Sequence, residues 1–149
     1  MRSYLVVLDE TEEARTALRY AARRATEAGC TVEILALIPP QEFVQWGGVQ
    51  AAMEEEARLR AEAMVLEASG AILEEAGIRP AILVREGEPV KVVSEILKEK
   101  SDIAALVLGA AAEGGPGPLV SHFAGSVGGT LPCPVIIVPG NLSDEALEG

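Results

Sequence analysis

Apolar residues along the 149-residue chain fall into two alternating patterns. Five short runs are almost continuously apolar: Tyr4–Leu8, Val32–Ile38, Ala81–Arg85, Ile103–Leu108 and Pro134–Val138. Runs of this length without polar alternation predict strands covered on both faces. Between them the apolar positions recur at helical spacing. After the first run, Thr11 is an N-cap candidate, with Glu12 and Glu13 in the first turn where the helix dipole favours negative charge. Ala14, Leu18, Ala21, Ala22 and Ala25 then share one face, Arg15, Arg19 and Arg23 occupy the other, and Gly29 ends the helix. Pro39 and Pro40 close the second strand, and residues 41–49 form a connection holding Phe43 and the single Trp46, which read as packing residues.

A long helix is predicted from Ala51 to Ala76, with Met53, Ala57, Ala61, Met64, Ala68 and Ile72 along one side as core or dimer surface and Gly77 as its stop. Pro89 suits the first position of a third helix, whose Val90, Val93, Ile96 and Leu97 make the buried face. A short helix is expected to begin near Ser126 or a little before it. Residues 141–149 are acidic and predict one helical turn capped by Ser143. Strands alternating with helices imply right-handed crossovers and a parallel sheet. The fold class is therefore α/β: one doubly wound, open, parallel five-stranded sheet with helices on both faces, with no repeat and no second domain.

Composition narrows the function. Hydrophobic residues make up 49% of the chain and charged ones 23%, enough apolar material for a core. The net charge of −11 argues against binding nucleic acid or an anionic membrane, both of which need clustered Lys and Arg. No apolar run is long enough to span a bilayer, and no signal-peptide pattern precedes the first strand, so a cytoplasmic location is the expectation. Cys30 and Cys133 stand far apart and His122 is the sole histidine, which excludes a disulfide framework or a structural zinc site. Both cysteines read as small apolar fillers, and His122 as a surface or contact residue.

Ligands of such sheets bind beyond the carboxyl ends of the strands. Two stretches there carry chemistry. Asp9 can accept hydrogen bonds from a ribose or base, or ligate a cation; it can equally be a turn residue leading into the helix. The glycine-rich stretch 109–118 (GAAAEGGPGP) and Gly125–Ser126 can bring backbone N–H groups to a phosphate, or can merely connect strand to helix. It is neither a P-loop nor a GxGxxG after the first strand. From Ser101 to Gly149 there is no Lys or Arg, and no arginine is expected near these strand ends, so phosphate would rest on backbone N–H groups, Ser126, His122 as a further candidate, and a divalent cation held by Asp9 and Glu10.

LVVLD at 5–9, VEILALI at 32–38, EGEP at 86–89, LVLG at 106–109, AGS at 124–126 and LPCPVIIVP at 131–139 occur in one order. Together they resemble the universal stress protein family over nearly the whole chain. The resemblance implies a family domain over residues 1–140 with a tail at 141–149, and the strand order 3-2-1-4-5. It also implies a homodimer, often through the fifth strand (Val135, Ile136, Ile137, Val138), and in one subgroup ATP at the switch point. That subgroup's pattern is Gly, two residues, Gly, nine residues, then Gly with Ser or Thr. Gly109 matches the first position, and Gly125 with Ser126 the last, followed by Val127. Ala112 replaces the second glycine, and the nine-residue spacing is recovered only from Gly115, as if the loop were three residues longer. By the same alignment Asp9 takes the nucleotide-contacting aspartate, with Val7 and Leu8 beside it, and the backbone of Leu37 faces adenine.

The implied function is a cytoplasmic, dimeric stress-response module binding ATP, AMP or a related adenine nucleotide, with Mg²⁺ accompanying a triphosphate. The same fold acting only through protein contacts is the alternative, favoured by the altered loop. A slow ATPase ranks below both, because no base–nucleophile pair is visible. A phospho-accepting receiver domain fails, since the ends of the third and fifth strands hold Glu86–Gly87 and Pro139–Gly140 where that chemistry needs Asp and Lys.

Overall fold

The computed structural model describes residues 2–38 and 47–148, with the backbone alone over 47–50. The expected closure by Pro39 and Pro40 and the packing of Phe43 and Trp46 lie outside the described residues. Strands β1 (Ser3–Leu8), β2 (Thr31–Ile38), β3 (Ala81–Glu86), β4 (Ile103–Ala110) and β5 (Val135–Pro139) alternate with helices α1 (Glu12–Ala28), α2 (Gly47–Ala76), α3 (Pro89–Glu99) and α4 (Pro118–Phe123). A 3-10 turn (Ser126–Thr130) precedes β5, and α5 (Asp144–Glu148) follows it. The sheet is parallel throughout, in the order β3-β2-β1-β4-β5.

The continuous apolar runs serve both faces of this sheet. Along β1, Val6 and Leu8 join a cluster beneath α1 and α2, whereas Leu5 and Val7 join one beneath α3 and α4. Alanines dominate the buried face of α1, so its backbone lies close to the sheet. Thr11 caps α1, its Oγ accepting from the Ala14 N–H at 3.2 Å, and Gly29 ends it in the left-handed conformation at φ 70°. Pro89 opens α3, whose two first free N–H groups, of Val90 and Lys91, donate to the Glu88 carboxylate at 3.2 and 3.0 Å.

Helix α2 starts at Gly47, four residues ahead of the expected Ala51. The Gly-Gly pair reads as a loop in sequence, but glycine costs little at the first positions of a helix. The acidic C-terminal residues are docked: Leu147 is buried, Ser143 accepts from the Ala146 N–H, and Arg19 and Arg23 of α1 pair with Asp144 and Glu148. At the amino ends of the strands, buried Glu33 receives Lys100 Nζ at 2.9 Å and the Ser3 hydroxyl at 3.5 Å.

Candidate functional site

Chain order places the switch point between β1 and β4. From β1 the strands proceed outwards to β2 and β3, and the crossover after β3 returns past β1 to β4. The helices before and after this point leave on opposite faces, so a crevice opens above the carboxyl ends of β1 and β4. A cavity of about 280 Å³ lies there, walled by Val7, Leu37, Leu108, Gly109 and Ala14, and covered by Pro116–Val120. A second lobe of about 440 Å³ continues over β1 and β2 beneath the first half of α2. The lobes share Asp9, Thr11 and Leu37.

Asp9 unites the two readings that sequence left open. Its Oδ1 accepts from the Thr11 N–H at 2.8 Å and from the Thr11 hydroxyl, making the turn into α1. The other oxygen carries no hydrogen bond among the described residues, and the carboxylate stands exposed on the rim of both lobes. The Thr11 hydroxyl is occupied twice over, by Asp9 and by Ala14, so the only hydroxyl that the described residues bring to the lobes is held in a cap.

Gly109 has a packing role. A Cβ there would lie 2.2 Å from the Glu13 carbonyl oxygen, so β4 and the first turn of α1 meet closely only because the residue is glycine. Gly117, at φ 99°, turns the chain into α4, where Pro118 occupies the first helical position.

The residues singled out in sequence therefore separate. Val7, Asp9, Leu37 and Gly109 line the cavity. The Leu8 side chain points the other way, into the core beneath α1. Ala112 and Gly115 are exposed in the loop and border neither lobe. Gly125, Ser126 and Val127 lie beyond α4, also outside both lobes. The Gly125 N–H bonds the His122 carbonyl at 3.3 Å, Ser126 is exposed, and Val127 packs into the core under α3.

The short helix expected to begin near Ser126 is present as the 3-10 turn Ser126–Thr130, and before it lies α4, from Pro118 to Phe123, which the sequence pattern did not separate from the loop. Val120 and Phe123, one turn apart, anchor α4 in the core, and glycines at 125, 128 and 129 disfavour its continuation. His122 stands edge-on to Phe123 with ring centroids 4.8 Å apart, away from the cavity. Both cysteines are free, and burial pushes the Cys133 thiol up.

One correction concerns charge. Arg60, from the middle of α2, borders the second lobe together with Glu10, Glu56, Met53 and Met64. Met64 also packs against the core, as its spacing predicts, but sequence reasoning placed no arginine near the strand ends. How far a 30-residue helix overhangs the sheet is set by tertiary packing, not by the pattern of its own residues. Among the described residues no group of three His, Cys, Asp or Glu converges as a metal site, and no helix is long and apolar enough to cross a membrane.

The universal stress protein family model matches residues 1–139. Solved structures share the fold. A universal stress protein from Lactobacillus plantarum superposes with a TM-score of 0.77 at 17% identity, over 92% of this chain and 97% of that one. One from Archaeoglobus fulgidus in complex with dAMP gives 0.63 at 21% identity, over 93% and 98%. One from Arabidopsis thaliana with AMP bound gives 0.61 at 16% identity, over 97% and 95%. No curated protein sequence matches the chain.

Proposed function

Because the chain belongs to the universal stress protein family, we propose that the crevice at the switch point binds an adenine nucleotide and that the protein acts by binding, without turnover. The observation that carries this reading is an apolar cavity bordered by one exposed carboxylate with an oxygen to spare. Val7, Leu37 and Leu108 offer walls for a purine, and Asp9 can accept from ribose hydroxyls. Lobes of about 280 and 440 Å³ are of the size that small-molecule sites occupy. The dAMP and AMP held by the Archaeoglobus and Arabidopsis proteins support the choice of ligand class.

Charge favours a monophosphate. Among the described residues, Asp9, Glu10, Glu13 and Glu56 border the two lobes, against Arg60 alone. A free triphosphate would meet this acidic rim unfavourably. With Mg²⁺ the balance changes, and Asp9 and Glu10 are the side chains that would hold the ion alongside phosphate oxygens. Among the described residues the lining supplies no histidine, cysteine or lysine, and its one hydroxyl is held in a cap, so it offers no side-chain nucleophile for a covalent step.

The test is titration calorimetry with AMP, ATP, and ATP plus Mg²⁺, on the wild type and Asp9→Ala. AMP should bind saturably and more tightly than metal-free ATP. Asp9→Ala should weaken AMP roughly tenfold or more, the ratio expected for one lost hydrogen bond to a charged group. Circular dichroism checks that the variant is folded. No heat with any of the three up to millimolar concentration would refute nucleotide binding. That result would favour the second reading, a pure interaction module, which the position of Gly125 and Ser126 outside the crevice supports.

A further inference from the structure

Helix α2 has two apolar sides. One faces the sheet, where Ala61, Val65 and Ile72 are buried and Ala57, Met64 and Ala68 pack against them. The opposite side carries Leu59, Leu66 and Leu73, which are 56%, 69% and 40% exposed. These are three of the five large apolar side chains that the described residues leave exposed. They are spaced seven apart, so they form one row along the helix, drifting only about 20° per repeat. Between them, on the same stripe, fall Ala63 and Gly70, with open space around the Gly70 Cα. An apolar stripe on the side of a helix turned away from the core calls for a cover of its own, whereas α1 and α3 each keep a polar outer face.

We propose that this outer stripe is a self-association surface, on which a second copy of α2 lies antiparallel. Two features select that occupant. The first is the alternation of large and small residues. Antiparallel pairing about a two-fold axis can set Leu66 against the partner's Gly70, Leu73 against the partner's Ala63 and Leu59 against the partner's Gly77. Each leucine then enters a gap left by a small residue, which allows close approach of the helices. The second is charge. Arg60, Glu67 and Glu74 form the heptad row beside the leucines. Antiparallel pairing brings Arg60 to the partner's Glu74 at both ends of the seam, leaving one like-charged meeting at Glu67 near the axis. A parallel copy would instead set Glu62 beside the partner's Glu67. The stripe from Leu59 to Leu73 is about 21 Å long, four turns of helix. This surface is separate from the β5 edge, and the inference does not depend on nucleotide binding.

Analytical ultracentrifugation of the full chain tests it, on the wild type, Leu66→Glu, Glu74→Arg, and Glu74→Arg combined with Arg60→Glu. Leu66→Glu should weaken self-association on the order of a hundredfold, because both copies lose the central leucine, and its exposed position leaves the urea midpoint of the monomer unchanged. Glu74→Arg should weaken association about tenfold, and the double exchange should restore it. A wild type that is monomeric at 100-micromolar-range concentrations, roughly the limit for a weak specific interface, overturns the proposal. So does association that Leu66→Glu leaves untouched while Ile137→Lys at the β5 edge abolishes it. Loss of association in Glu74→Arg without rescue in the double variant overturns the antiparallel arrangement.

Discussion

Replacing Gly109 with alanine is the smallest change that reaches both the core and the crevice. The added methyl would sit 2.2 Å from the Glu13 carbonyl oxygen, 2.5 Å from its carbon and 3.1 Å from the Ala14 nitrogen, all backbone atoms of α1. No side-chain rotation relieves that overlap; β4 and α1 must separate by roughly 1 Å to regain an ordinary contact. The helix cannot retreat freely, because a Cβ at Gly140 would already come within 2.7 Å of Glu13 Cβ, so the same turn is gripped from β5's end as well. Overpacking of this kind costs about 1–3 kcal/mol, and two backbone segments in collision place Gly109→Ala at the upper end. For a chain of this length that corresponds to a melting temperature lower by about 4–12 °C. Urea unfolding followed by far-ultraviolet circular dichroism measures it. Gly129→Ala, with no atom within 4 Å of the new methyl, is the control and should stay within about 0.5 kcal/mol of wild type. Because Asp9 and Thr11 are hydrogen-bonded to this same turn, Gly109→Ala should also weaken AMP. A loss below about 0.5 kcal/mol in Gly109→Ala would refute the claim that this glycine is required by close packing.

Lys100→Met strands the buried Glu33 carboxylate and should cost about 1–3 kcal/mol in urea unfolding, whereas Glu33→Leu combined with Lys100→Met should recover most of the loss. The Glu33 hydrogen bond and charge raise the Lys100 pKa. The folded state therefore holds that proton more tightly; its stabilisation is complete below the unfolded value, about 10.4, and disappears as pH rises through the folded value. Wild type should accordingly lose stability more steeply than Lys100→Met as pH rises above about 10.4; equal slopes would contradict the pairing. Leu147→Ala should cost about 2 kcal/mol and make residues 141–148 the first site of limited proteolysis, and a cleavage pattern identical to wild type would show that α5 is not held by this side chain.

The fold was legible because its signals are local. Each strand is one apolar run, and the caps at Thr11 and Ser143, Pro89 at the start of α3 and Gly29 as a stop lie within four residues of the termini they fix; the Glu88 cap was not read from the sequence. The strand order came from resemblance and agrees with the sheet. The crevice was legible where it is made of strand ends: Asp9 and Gly109 follow from position at the ends of β1 and β4, while Val7 and Leu37 came from the resemblance, and all four line the cavity. The loop was not. Counting residues from Gly115 to Gly125 carries no information about whether they bend as a nest or coil into α4, a choice decided by burial of Val120 and Phe123. Arg60 was missed for a related reason, since its nearness to Asp9 depends on how α2 is translated along the sheet. The outer leucines of α2 were visible as letters, but without knowing which side meets the sheet they could not be told from core.

The Glu33 cluster at the amino ends of the strands bears on how the chain finds its alignment while folding. In a sheet covered on both sides, shifting β2 by one residue exchanges one set of Val, Ile, Leu and Ala for another, so apolar burial alone discriminates weakly between pairings. Glu33 breaks that degeneracy. In the native alignment it lies beside Leu5 on the α3 side, within reach of Lys100 at the end of α3. A slip of one residue in either direction would set it beside Tyr4 or Val6, on the side of α1 and α2, and bury a carboxylate away from its counter-ion. A single acidic side chain thus makes the misaligned sheet an error that the chain can detect and undo before its helices close over both faces.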